Sequence, residues 1–218
     1  MLRPILLSAF LALPAAAQDM TDLGTPPAGT YTTDPAHTRL WFTVDHLGFS
    51  TFMALFTKAE ATLQFDPANP TAMQVTATVD LTTLETHNDD PSYDFNAIVS
   101  GPDYLNAPTH PLATFTSTRI ELVDDDSAMV TGDLTMNGIT RPITLDATYN
   151  GGWGNMPLDP GGARAGFSIT GTLLRSDFGI ANGIPAPGTT MGVSDEVRFY
   201  FETEMSTPTP RNLDRSKP

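Results

Sequence analysis

The sequence predicts an all-β fold, an eight-stranded antiparallel barrel carrying one short helix. Apolar and polar residues alternate with a period of two in eight separate stretches, the pattern of strands with one dry and one wet face. Between two of them stands Asn137-Gly138, a dipeptide that tolerates positive φ at both centres of a type I′ turn, whose twist matches paired strands. One segment alone, near residues 91–100, breaks into helical spacing. No internal repeat and no interdomain linker interrupts the series.

Residues 1–17 predict a secretory signal peptide. Arg3 supplies the positive start, Ile5 to Leu13 a short apolar run and Ala15-Ala16-Ala17 a small-residue site, with cleavage expected after Ala17. The run is shorter than the roughly 20 apolar residues that a membrane span requires. No cysteine follows it, which removes a lipid-modified N-terminus and leaves an exported, periplasmic chain as the expectation. Residues 18–30, rich in Gly, Pro and Thr, predict a loose lead-in.

Strand one runs from His37 to His46, with Leu40, Phe42, Val44 and His46 facing inward against Arg39, Trp41, Thr43 and Asp45. Gly48 and Ser50 break the pattern, and Phe52 to Phe65 resumes it as strand two. Strand three places Val75, Ala77, Val79 and Leu81 on one face. Asp90 can then cap a helix over 91–100 whose first turn holds Pro91, where a missing N–H costs nothing; Phe95, Ile98 and Val99 share one face, and Gly101-Pro102 ends it. Strand four covers 112–123 with Phe115 and Ile120.

The hairpin around Asn137-Gly138 supplies strands five and six. Val130, Gly132, Leu134 and Met136 face one way on its first arm, and Ile143, Leu145, Ala147 and Tyr149 on its second. Pro142 cannot donate to a ladder, so a bulge or an edge is expected there. A loop bearing Trp153 leads to strand seven, with Phe167, Ile169, Gly171 and Leu173 inward. A Pro/Gly-rich loop over Ile180–Gly192 precedes strand eight, with Val197, Phe199 and Phe201. The polar tail 206–218 is expected to be disordered. One domain over 31–205 accounts for all of this.

The chain has no cysteine, so an exported fold must rest on its core, and thiolate metal sites, redox motifs and a cysteine nucleophile are excluded. The formal charge is −14, and losing Arg3 with the leader takes it to −15. Such a surface repels nucleic acid and anionic headgroups, so neither nucleic acid nor stable membrane insertion is expected. Whether the chain pairs into a homodimer is left open.

Catalytic signals are weak. The four histidines, His37, His46, His87 and His110, show no metal-ligand spacing. Asp89, Asp90 and Asp94 cluster but lack the spaced ligands and glycine of a calcium loop. No Gly-x-Ser-x-Gly elbow or phosphate-binding glycine loop appears. Most carboxylates alternate outward or gather in turns, so an enzyme is not expected. His46 reads as a hydrogen-bonded histidine at the barrel mouth or as a contact to a ligand's polar end. Arg175 shares the inward face of Leu173, where it pairs with a carboxylate near one barrel end or meets such a headgroup.

Several motifs resemble one family. They are Tyr31-x-x-Asp34-x-x-His37-Thr38, Phe42-x-Val44-x-His46-Leu47-Gly48-Phe49-Ser50, Leu63-x-Phe65-Asp66 and Pro111-x-Ala113-Thr114-Phe115-x-Ser117, followed by the Gly132–Leu145 hairpin. Gly166-Phe167, Arg175-x-Asp177-Phe178-Gly179 and Val193-x-Asp195-Glu196-Val197 complete the series. In this order they resemble the YceI-like proteins over about residues 31–205. The resemblance implies a lipocalin-like barrel with an apolar tunnel holding an isoprenoid chain of quinone or polyprenyl type, or a fatty-acid-like amphiphile, and no other cofactor.

On that footing the expected lining is Phe42, Val44 and His46 from strand one, then Phe49, Phe52 and Phe65. Phe115, Leu134 and Met136 follow, then Trp153, Phe167 and Ile169, and finally Arg175, Phe178 and Phe199. Two departures stand out. Ala54-Leu55-Phe56 and Glu60 occupy positions where glycine is common in the family. Phe95-Asn96-Ala97-Ile98-Val99 replaces the usual Arg-Asp-x-His-Leu, which implies a different or less polar headgroup. The competing reading is a barrel with a filled core that serves as a protein-interaction or stress-response module.

Overall fold

The computed structural model describes residues 23–154, 156 and 162–207. The expected signal peptide with its cleavage site, nearly all of the tail and Asp159-Pro160-Gly161 of the loop expected around Trp153 lie outside them. The elements are β1 (Gly29–His46), β2 (Ser50–Phe56), β3 (Ala59–Phe65), β4 (Gln74–Asp80), β5 (Leu84–Glu85) and α1 (Phe95–Ser100), followed by β6 (Leu112–Leu122), β7 (Ser127–Met136), β8 (Ile139–Trp153), β9 (Arg164–Leu174) and β10 (Glu196–Ser206).

The ten strands form eight staves. β2 and β3 follow one path antiparallel to β1, β2 pairing with Leu40–His46 and β3 with Gly29–Thr32. β4 continues through a 3-10 turn at Leu81–Thr83 into β5, which pairs with the end of β2. Every neighbouring pair is antiparallel, and β10 returns to pair with β1, closing an up-and-down barrel. Closure removes the open edges that a sheet of this size would otherwise present.

The turn after His46, the β7–β8 hairpin, α1 and the loop before β10 gather at one end, called the upper end. The start of β1 and the β3–β4, β6–β7 and β8–β9 connections mark the lower end. The apolar packing divides the same way. Tyr31, Leu63, Phe65, Ala165 and Met205 form a lower cluster, and Leu81, Ala107, Met136, Phe178 and Ile180 an upper one.

Local details differ in places from the sequence reading. Asp94, not Asp90, caps the helix, accepting from the Ala97 amide at 2.9 Å. Asp90 instead folds back on Ser92, accepting from its amide and hydroxyl at 2.9 and 2.6 Å. β1 begins at Gly29, eight residues before the expected start, and the preceding chain packs on the lower end: the Gly154 amide donates to the carbonyls of Leu23 and Gly24, and the Tyr31 hydroxyl to that of Pro27. Asn137 and Gly138 both have positive φ, as the turn requires. Pro142 lies opposite Asp133 of β7, in the part of β8 that β9 does not reach, so its missing N–H interrupts no second ladder.

Candidate ligand-binding cavity

Inside the barrel lies a cavity of about 1180 Å³ that reaches from the upper end to the lower. Its wall is built by strand parity. β9 contributes Phe167, Ile169 and Leu173, β8 contributes Ile143, Leu145, Ala147 and Tyr149, and β10 contributes Val197, Phe199 and Phe201. Two glycines shape this wall indirectly. A Cβ on Gly132 would meet the Phe115 ring at 2.3 Å, and one on Gly171 the Phe199 ring at 2.5 Å. Each glycine makes room for a neighbouring aromatic ring, and that ring then forms the wall.

Twelve of the expected lining residues lie on this wall: Phe42, Val44, His46, Phe52, Phe65, Phe115, Leu134, Met136, Phe167, Ile169, Arg175 and Phe199. Three do not. Phe49 stands in the Leu47–Phe49 turn and is 82% exposed. Phe178 ends a 3-10 turn and is buried in the upper cluster with Met136 and Ile180, which themselves reach the wall. Trp153 belongs to β8 rather than to a loop, and the ladder shifts register between Tyr149 and Gly151. That extra residue turns the following positions over, so Trp153 faces outward with Arg164. It lines a smaller hollow of about 560 Å³ beside His37, Arg39 and Glu204. The buried indole N–H meets no acceptor there among the described residues.

Two aromatic side chains absent from the expected lining also reach the wall, Tyr149 toward the lower end and Phe95 at the upper. At the lower end Tyr31, Phe65, Tyr149 and Phe167 pack ring against ring, with centroids 5.2 to 6.5 Å apart. Burial pushes the Tyr31 and Tyr149 phenols above their ordinary pKa, so both stay neutral at physiological pH. At the upper end Phe95 and Val99 of α1 reach the wall, Phe95 meeting Phe52 edge-on at 5.5 Å. Their i, i+4 spacing was the available signal. Asn96 anchors the segment, its side-chain oxygen accepting from the Thr86 amide and hydroxyl at 2.8 and 2.6 Å.

Arg175 does not form the expected pair with a carboxylate. Its Nε donates to the Ser194 carbonyl at 2.8 Å, Nη1 to that of Asn182 at 3.0 Å and Nη2 to that of Val193 at 2.6 Å. Asp195, the nearby acid, accepts from the Ser176 amide and hydroxyl instead. Burial lowers the Arg175 pKa, partly offset by the charge of Asp195. The guanidinium is thus a clamp on the 182–194 loop that also forms part of the wall. His46 is exposed at the same end, and no side-chain hydrogen bond reaches its ring from the described residues.

Asp34, His37 and Glu204 are close enough to share a cation. Arg164 already stands among them, its Nη1 2.7 Å from Asp34 and 3.2 Å from Glu204, and supplies the positive charge.

A closed eight-stranded antiparallel barrel around an apolar cavity defines the class of barrels able to enclose a small ligand. Within that class the chain belongs to the YceI-like domain family, whose profile matches residues 31–205. Protein YceI of Escherichia coli O157:H7 is 36% identical over 163 residues, covering 74% of this chain and 81% of the relative. The crystal structure of Burkholderia cenocepacia BcnA superposes with a TM-score of 0.66 at 26% identity, covering 79% of this chain and 98% of that one. A polyisoprenoid binding domain from Saccharophagus degradans, implicated in plant cell wall breakdown, shares the fold with a TM-score of 0.54 at 15% identity, covering 83% and 99%.

Proposed function

We propose that the protein is an exported, non-catalytic lipid binder that takes an isoprenoid-type amphiphile, of quinone or polyprenyl kind, or a fatty-acid-like chain into the barrel for sequestration or transport. The cavity of about 1180 Å³ and its predominantly apolar wall carry this reading. The volume exceeds the usual range for drug-sized ligands, about 300–1,000 Å³. A filled-core interaction module has no use for such a space. Export to the periplasm is supported by the leader-like residues 1–17.

Desolvation supplies the affinity. Each buried methylene contributes roughly 0.8 kcal/mol, so one five-carbon unit offers about 3–4 kcal/mol before ordering costs. Affinity should therefore climb with prenyl number and level off once the cavity is full, because non-covalent affinities saturate. Native mass spectrometry of the purified protein, followed by titration with a prenyl series, tests this. A stoichiometric amphiphile is expected on the wild type and is lost in Ala147→Trp, which plugs the wall opposite Ile169. Circular dichroism confirms that the variant folds. Flat affinity along the series, or equal loading of the plugged variant, overturns the reading.

A further inference from the structure

The two most exposed large apolar side chains among the described residues are Phe49, at 82%, and Met191, at 67%. They are 142 residues apart in sequence, yet they stand on adjoining tips at the upper end. The Leu47 amide donates to the Gly192 carbonyl at 2.8 Å, and a Cβ on Gly48 would lie 2.8 Å from the Thr190 hydroxyl. The Leu47–Phe49 turn and the Thr189–Gly192 loop are therefore stitched together by backbone contact. Both side chains project from a fixed base.

These tips continue the cavity wall. Phe49 lies between the wall residues His46 and Ser50, and Met191 stands two residues before Val193, which bridges to His46. Nearby, Met53 and Tyr93 are each about half exposed and also belong to the wall. Tyr93 stacks on Phe95 with centroids 5.7 Å apart. The interior apolar surface thus emerges here and runs out onto two protruding tips.

The surroundings are acidic. Asp45 adjoins the turn, its carbonyl accepting from the Ser194 amide. The whole segment 84–111 bears Glu85, Asp89, Asp90, Asp94 and Asp103 and has no Lys or Arg. Negative charge excludes an anionic lipid face, whereas phenylalanine and methionine at convex tips suit a deformable neutral one. A protein partner would need matching pockets for both fingers.

We propose that the Phe49 and Met191 tips dock the cavity mouth transiently onto a zwitterionic lipid surface, so that an insoluble cargo passes between bilayer and barrel without crossing water. The transfer role rests on the lipid-binding reading, but the docking is measured without any cargo. Delipidated protein is floated with vesicles of pure phosphatidylcholine, and the bound fraction gives a partition coefficient. Phe49→Ser and Met191→Ser, both off the cavity wall, should each lower it about tenfold and leave prenyl-lipid binding from ethanol solution unchanged. Replacing a third of the lipid with phosphatidylglycerol should lower it as well.

Absent flotation of the wild type, unchanged partition of both variants, or tighter binding to the anionic vesicles overturns the proposal. So does a concentration-dependent dimer in sedimentation velocity that Phe49→Ser dissolves while vesicle partition stays the same. Loss of prenyl-lipid binding alone, with flotation intact, counts against the cargo reading and not against docking.

Discussion

Arg175 shows how one side chain can hold a loop and shape a cavity together. Its three carbonyl acceptors lie between Asn182 and Ser194, on the connection that carries Val193 to the wall. A hydrogen bond from a charged donor contributes about 1.5–3 kcal/mol, and orphaned buried acceptors cost about 1–3 kcal/mol each. Arg175→Met should therefore lower the unfolding free energy by roughly 2–5 kcal/mol, seen as a lower urea midpoint at unchanged slope. Arg175→Lys should fall between, because an ammonium cannot reproduce the planar fork. A midpoint shift within error for the methionine variant would show that the side chain serves a ligand and not the loop.

At the scale of the element, β1 shows most clearly what must be held by side chains. Its pairing with β10 shifts between Thr33 and Thr38, and the irregular stretch is pinned by Asp34, whose carboxylate receives Arg164 at 2.7 Å. The hydrogen bond from Arg164 is the main cause that holds the Asp34 pKa at about 2. Because the folded value lies below the unfolded one, this stabilisation is complete above about pH 4 and disappears as pH falls through 2. Asp34→Asn should flatten that part of the acid limb in urea midpoints measured from pH 5 to 2; a limb parallel to wild type would remove Asp34 as its cause. His37 works in the opposite direction, its pKa raised first by Asp34, so its contribution exists at low pH and fades as pH rises past its folded value. Its exposure to solvent keeps that effect small.

Such elements also mark what was legible in the sequence. The alternation in β7, β8, β9 and β10 is a direct imprint of one dry face, so the eight staves and twelve wall positions could be read locally. Trp153 could not, because one inserted residue at Asn150 inverts the parity and bulges carry no period of their own. Phe49 and Phe178 occupy turns, where alternation says nothing about direction. The helix start was displaced because Asp90 and Asp94 offer the same capping chemistry; Asp90 is taken up by Ser92, and the helix that starts at Phe95 sets that ring against Phe52. Closure of β10 on β1 pairs residues such as Thr38 and Thr203, 165 positions apart, and no local signal reports a contact of that range.

For the whole molecule, the cavity runs through the waist of the barrel and on into the two apolar clusters at its ends, several of whose residues line it. Interiors of folded proteins are close-packed, and unfilled volume forfeits dispersion contacts along its lining. A bound amphiphile would complete the core as well as being carried by it. Stability should then depend on ligand by mass action, rising about 2.7 kcal/mol at a free concentration one hundred times Kd. For a chain of this size that corresponds to a Tm increase of roughly 5–10 °C. Calorimetry of solvent-stripped protein, with and without a saturating prenyl lipid, measures it. The increase should grow with the logarithm of ligand concentration and vanish in Ala147→Trp, whose indole fills part of the hollow and should make the stripped form at least as stable as stripped wild type. An equal ligand-induced increase in the plugged variant would locate the stabilising lipid on the outer surface, and the waist would then be no binding site at all.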